Sequence, residues 1–140
     1  MQTRASILIA RPPAETFAFV ADPARASKWR THLVSSHGSS SAIGDRVSQR
    51  YSYQGRTAQI ELEVTEYDPP ERLSYKTEGP VHGRASFQFR PEQWGTRVSA
   101  SLSANLTGPA ALFAGRIERE AEATLRSDLS RLKAALETGA

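Results

Sequence analysis

Gln49, Tyr51 and Tyr53 occupy alternate positions of one short segment, so in an extended chain their side chains share a face. An amide and two phenols on one face can hold a keto or phenolic oxygen through hydrogen bonds. Tyr75 and Thr77 repeat the arrangement on a later segment. None of these groups is a base near neutral pH. A phenol titrates at about 10, whereas acid–base catalysis needs a group tuned close to the working pH. The same residues also have a structural reading, in which the tyrosine hydroxyls reach solvent at a cavity mouth and the glutamine pairs with a neighbour.

Charged candidates lie outside this set. Trp29, Arg30 and His32 follow a helical segment, where the tryptophan either plugs the interior or offers a platform to a ligand. Asp45 and Arg56 share the parity of the tyrosines but fall at strand ends, so they guard an opening or are simply surface charges. His32, His37 and His82 are dispersed, and a metal ion needs three or four converging ligands, so no metal site is predicted. The chain lacks the phosphate-binding G-x-x-x-x-G-K-[ST], the hydrolase G-x-S-x-G and the zinc-protease H-E-x-x-H patterns. It also lacks a set of iron or iron–sulfur ligands, and nothing in it calls for a cofactor.

These residues must be positioned by a sheet. Ala5, Ile7 and Ile9 alternate as a half-buried strand does, and Pro12-Pro13 ends it, with Pro13 in the first turn of a helix. Phe17 and Val20 share one face of that helix. Asp22-Pro23 is an N-cap followed by a proline, opening a second short helix that ends near Trp29. Ser35–Ser41 (SSHGSSS) reads as one loop. From Gly44 to Leu106 the pattern is strand after strand. A two-residue turn at Gln54-Gly55 sets Tyr53 opposite Arg56, Tyr51 opposite Ala58, Gln49 opposite Ile60 and Val47 opposite Leu62. Apolar partners then meet on one side and charged partners on the other, an agreement that a one-residue slip would destroy. A three-residue loop, Gly79-Pro80-Val81, matches Leu73, Tyr75 and Thr77 with Ala85, Phe87 and Phe89. A hairpin through Glu92–Gly95 sets Phe89 opposite Val98 and Phe87 opposite Ala100.

After Gly108-Pro109 the period becomes helical, with Phe113, Ile117, Ala121, Leu125, Leu129, Leu132 and Leu136 in one stripe. Thirty helical residues would span about 45 Å, against a radius of gyration of about 14 Å for a chain of this size. The helix must therefore lie across the sheet. The predicted class is α+β: a curved antiparallel sheet of six to seven strands around a long C-terminal helix, with two short helices after the first strand.

Composition narrows the function. Fifteen of the 18 cations are arginine, the formal charge is +3, and the basic residues are spread along the chain without a concentrated run, so nucleic acid is not an expected partner. No apolar run approaches membrane-spanning length and the amino terminus is not a signal peptide, which predicts no integral membrane association. The absence of cysteine fits a reducing cytoplasm.

The segments ILIARPPAETFAFVADPARASKW (Ile7–Trp29), EVTEYDPPERL (Glu63–Leu73), WGTRV (Trp94–Val98) and DLSRLKAALE (Asp128–Glu137) resemble the START-like, or SRPBCC, superfamily with its helix-grip fold. Within it the chain is similar to the polyketide cyclase/dehydrase-like group. The resemblance runs over the whole chain and implies one START-like domain over residues 1–140. It also implies a cavity between sheet and helix for a hydrophobic, aromatic or polyketide-like molecule. From the register, the lining would include Gln49, Tyr51, Tyr53, Ile60, Leu62, Tyr75, Thr77, Phe87 and Phe89, with Phe113 and Ile117 from the helix and Trp29 near the entrance. Arg30, His32, Asp45 and Arg56 would stand at the mouth. A cyclase or dehydratase acting on such a ligand is the alternative that the resemblance implies, and a protein–protein module using Leu8 or Trp94 is a third. A homodimer is compatible with all three.

Overall fold

The structure is a computed structural model and describes residues 1–78 and 82–139, Ala110 by its backbone alone. Seven strands form one antiparallel sheet: β1 (Gln2–Ile9), β2 (Leu33–Gly38), β3 (Arg46–Tyr53), β4 (Arg56–Asp68), β5 (Arg72–Thr77), β6 (His82–Glu92) and β7 (Gly95–Asn105), in the order β1-β7-β6-β5-β4-β3-β2. Between β1 and β2 come α1 (Pro13–Ala21) and a 3-10 helix (Pro23–Lys28). A second 3-10 helix (Gly108–Phe113) leads into α2 (Ala114–Glu137). This is the expected helix-grip architecture.

The predicted registers hold pair for pair. Gln49 faces Ile60, Tyr51 faces Ala58 and Tyr53 faces Arg56. Leu73 faces Phe87 and Tyr75 faces Ala85, while the loop predicted at 79–81 lies outside the described residues. Phe89 faces Val98 and Phe87 faces Ala100. At the β3–β4 turn both Gln54 and Gly55 have positive φ, the conformation whose twist suits a two-residue hairpin. The helix starts are also as expected: Pro13 opens α1, and Asp22 Oδ1 accepts the Ala24 N–H at 3.0 Å ahead of Pro23.

Two elements depart from the sequence reading. Leu33–Gly38 is a strand, so the first half of the serine-rich segment is not loop; Ser36 pairs with Gln49 and His37 with Ser48. A sheet edge imposes pairing that local propensity does not announce. The terminal helix is shorter than thirty residues, because its first turn is 3-10. The 24 residues of α2 extend about 36 Å.

Leu125, Leu129, Leu132 and Leu136 of α2 are buried, each a gain of about 1.5–3 kcal/mol. The rest of the core includes Ile9, Phe17, Phe19, Val20, Trp29, Val64, Leu73, Phe87, Phe89 and Val98. Helix α2 also closes the free edge of β1. Glu118 accepts the Gln2 N–H at 3.3 Å, Glu137 accepts the Ala10 N–H at 2.8 Å, and Lys133 Nζ donates to the Leu8 carbonyl at 2.8 Å. These side chains substitute for a missing neighbouring strand. Among the described residues no helix is long and apolar enough to cross a membrane.

Candidate functional site

Burial along α2 changes halfway. From Leu125 onward its inner residues are buried, whereas Ile117 and Ala121 are only half-buried and Phe113 is 57 % exposed. The first part of the helix therefore does not seal the sheet beneath it. The sheet carries an open cavity of about 260 Å³, lined by Gln49 and Tyr51 (β3), Ile60 and Leu62 (β4), Tyr75 and Thr77 (β5), Gly83, Arg84 and Ala85 (β6), Leu102, Ser103 and Ala104 (β7), Met1 and Arg30. Met1, Thr77, Gly83, Arg84, Ser103 and Ala104 also border the polar depression outside, so they form the rim. The six residues that the sequence places on the inward face of β3, β4 and β5, Gln49, Tyr51, Ile60, Leu62, Tyr75 and Thr77, are thus brought together.

Other expected site residues lie elsewhere. Phe113 and Ile117 do not line the cavity: Phe113 is exposed at the end of the 3-10 turn and Ile117 is half-buried on α2. Phe87 and Phe89 are core residues: Phe89 packs edge-on to Phe17 at 5.2 Å, and Phe87 edge-on to Trp29 at 6.0 Å. Trp29 is 2 % exposed, so it is an interior side chain and not an entrance residue. It borders a separate pocket of about 20 Å³ that shares Arg30, Gln49, Leu62 and Tyr75 with the cavity. Tyr53 is exposed at the hairpin tip, where its ring meets that of His32 at 4.5 Å. Arg56 is exposed on the same hairpin. Asp45 is at the opposite end of β3, holding the Ser39 and Ser41 hydroxyls and the Ser41 N–H, and these bonds keep its carboxyl below the usual range. Neither His32, Asp45 nor Arg56 is at the mouth.

Arg30 is the largest correction. It stands at the inner wall, not the mouth, because the chain turns inward after the 3-10 helix and buries Trp29. Its guanidinium packs over the Trp29 ring at 4.6 Å and the Phe87 ring at 5.7 Å. Nη1 lies 3.4 Å from Asp128 Oδ2 on α2, with both side chains largely buried. Asp128 Oδ1 accepts the Thr31 N–H at 2.7 Å and the Thr31 hydroxyl. Arg131 donates to the Arg30 and Ser27 carbonyls, securing the same segment. Sequence reasoning missed Asp128: it is a lone carboxylate among leucines in the buried half of the helix, and that position is the signal that could have found it.

The neutral polar groups are already engaged. Tyr51 donates to Gln49 Oε1 at 2.7 Å, and the Tyr75 hydroxyl pairs with the Ser40 hydroxyl at 2.7 Å. Burial pushes both phenols above their ordinary value of 10, partly offset for Tyr75 by the Ser40 bond and for both by the Arg30 charge. They stay protonated at neutral pH and serve as hydrogen-bonding groups, not bases. A phenol that resists ionisation only in the fold leaves stability unchanged below pH 10. Above it the unfolded chain loses protons that the folded chain keeps, so stability falls as pH rises. Urea midpoints should decline between pH 9.5 and 11, and less steeply in a Tyr51→Phe, Tyr75→Phe double variant. Among the described residues no three side chains gather to hold a metal ion.

No curated protein matches the chain in sequence. Solved structures share its fold. A protein from Thermus thermophilus is 20 % identical with a TM-score of 0.86, covering 100 % of this chain and 99 % of its own. A protein from Deinococcus radiodurans is 23 % identical with a TM-score of 0.74, at 100 % of both chains. The di-domain ARO/CYC BexL, from the BE-7585A biosynthetic pathway, is 20 % identical with a TM-score of 0.80; the match covers 98 % of this chain and 46 % of BexL. Over residues 1–137 the sequence fits the model of the family described as polyketide cyclase / dehydrase and lipid transport, and the chain belongs to that family.

Proposed function

We propose that the protein binds a small hydrophobic molecule, aromatic or polyketide-like, in the cavity lined by β3 to β7, Met1 and Arg30. The carrying observation is the cavity itself, about 260 Å³ of mostly apolar lining with a few converging polar groups. That volume is just under the roughly 300–1,000 Å³ of drug-sized pockets, which suits one or two fused rings. The family's description joins turnover with transport. Phenols that stay protonated and are already paired favour binding over acid–base turnover.

Native mass spectrometry and thermal-shift measurements with 1-naphthol and related bicyclic compounds test this reading. A ligand at a hundredfold excess over its Kd stabilises the fold by about 2.7 kcal/mol. Ala104→Trp, which places an indole at the rim, should weaken binding at least tenfold without lowering the unliganded stability. A wild-type protein that shows neither an adduct nor a thermal shift across the series would refute the proposal.

A further inference from the structure

We infer that the ligand is an organic anion bound head-in, with its carboxylate on Arg30 at the inner wall and its ring system towards the mouth. The inference rests on the cavity reading above and adds the chemical class and the orientation.

Donor accounting supports it. A guanidinium carries five N–H donors in a planar fork. Among the described residues only Nη1 of Arg30 has a protein acceptor, and that contact with Asp128 is long, at 3.4 Å. Among the described residues the one fully buried side-chain polar atom without a partner is Trp29 Nε1. The other nitrogens of Arg30 are therefore not fully buried, and Arg30 borders both the cavity and the adjoining 20 Å³ pocket. Trp29 and Phe87 fix the position of the guanidinium by packing over it.

The groups around Arg30 do not satisfy it. Asp128 spends one oxygen on the Thr31 N–H and hydroxyl and meets the guanidinium at one point, not as a fork. Tyr51 donates to Gln49, and Tyr75 is paired with Ser40. Donors that face solvent in a largely apolar site are open to a ligand, and a carboxylate takes the guanidinium fork with two parallel bonds. The remaining cations of the cavity, Arg84 and the Met1 amino group, belong to the rim.

Isothermal titration with 1-naphthoate and with 1-naphthamide, which share a ring system and differ in charge, decides the matter. Wild type should bind the naphthoate at least tenfold more tightly. Arg30→Met should abolish that preference while still binding the amide, and Arg30→Lys, which keeps charge without the fork and preserves a partner for Asp128, should retain part of it. Equal affinity for the two probes in wild type would overturn the anion while leaving the cavity reading intact. Binding of neither would overturn both. Loss of the preference in Arg84→Met, with Arg30→Lys still discriminating fully, would put the carboxylate at the rim and overturn the orientation.

Discussion

Replacing Asp128 with alanine is expected to cost about 3–5 kcal/mol of unfolding free energy, the usual range for stripping one partner from a buried ion pair. The carboxylate is nearly inaccessible and serves three groups at once, the Arg30 guanidinium and the N–H and hydroxyl of Thr31. Its loss leaves a cation and a backbone donor without partners, and it releases the segment after the first 3-10 helix from α2. Asp128→Asn keeps an acceptor for Thr31 and should recover part of that loss. Urea titration of the three proteins measures the difference. A change within about 1 kcal/mol for the alanine variant, a threshold well below the cost just given, would show that the pair contributes little beyond its own desolvation.

The second large effect is at Trp29. Truncation to alanine should cost about 3–5 kcal/mol, because the indole fills the space between Phe87, the first 3-10 helix and β3. Phenylalanine should cost far less. It keeps an aromatic ring against Phe87 and removes an indole N–H that is buried without an acceptor, a relief of about 1–3 kcal/mol against the lost contact area. Both variants remove the N–H, so equal losses would show that an aromatic ring at this position gains nothing over a methyl group. The adjoining space of about 20 Å³ is large enough for one water, which needs roughly 10–15 Å³.

The parts of this fold that the sequence displays are those where neighbours in space are neighbours across a turn. Each hairpin register followed from matching two alternating patterns on either side of a short loop, so six cavity-lining residues on β3, β4 and β5 could be named in advance. The proline-marked helix starts were equally local. What was hidden depends on distance. Arg30 and Asp128 are 98 residues apart, and neither is on a strand, so no alternation links them. The serines of β2 form a strand only because β3 offers an edge. Phe113 continues the apolar stripe of the helix, but a stripe states which side is apolar and not how far the sheet reaches beneath it. The mouth was misplaced for the same reason: its rim includes Met1, which the long-range pairing of β1 with β7 brings beside β6 and β5.

The uneven burial of α2 has a consequence for how the molecule can open. Its second half, from Leu125 to Leu136, shares the core and can come away only when the whole domain unfolds. Its first half, residues 114–124, has no buried side chain, and Leu112 and Phe113 of the 3-10 turn before it are largely in solvent. Separate parts of one helix thus have separate costs of release, and the cheaper part is the one that follows the 3-10 turn. The first half could loosen locally while the cooperative unit stays intact, at a free energy well below that of global unfolding.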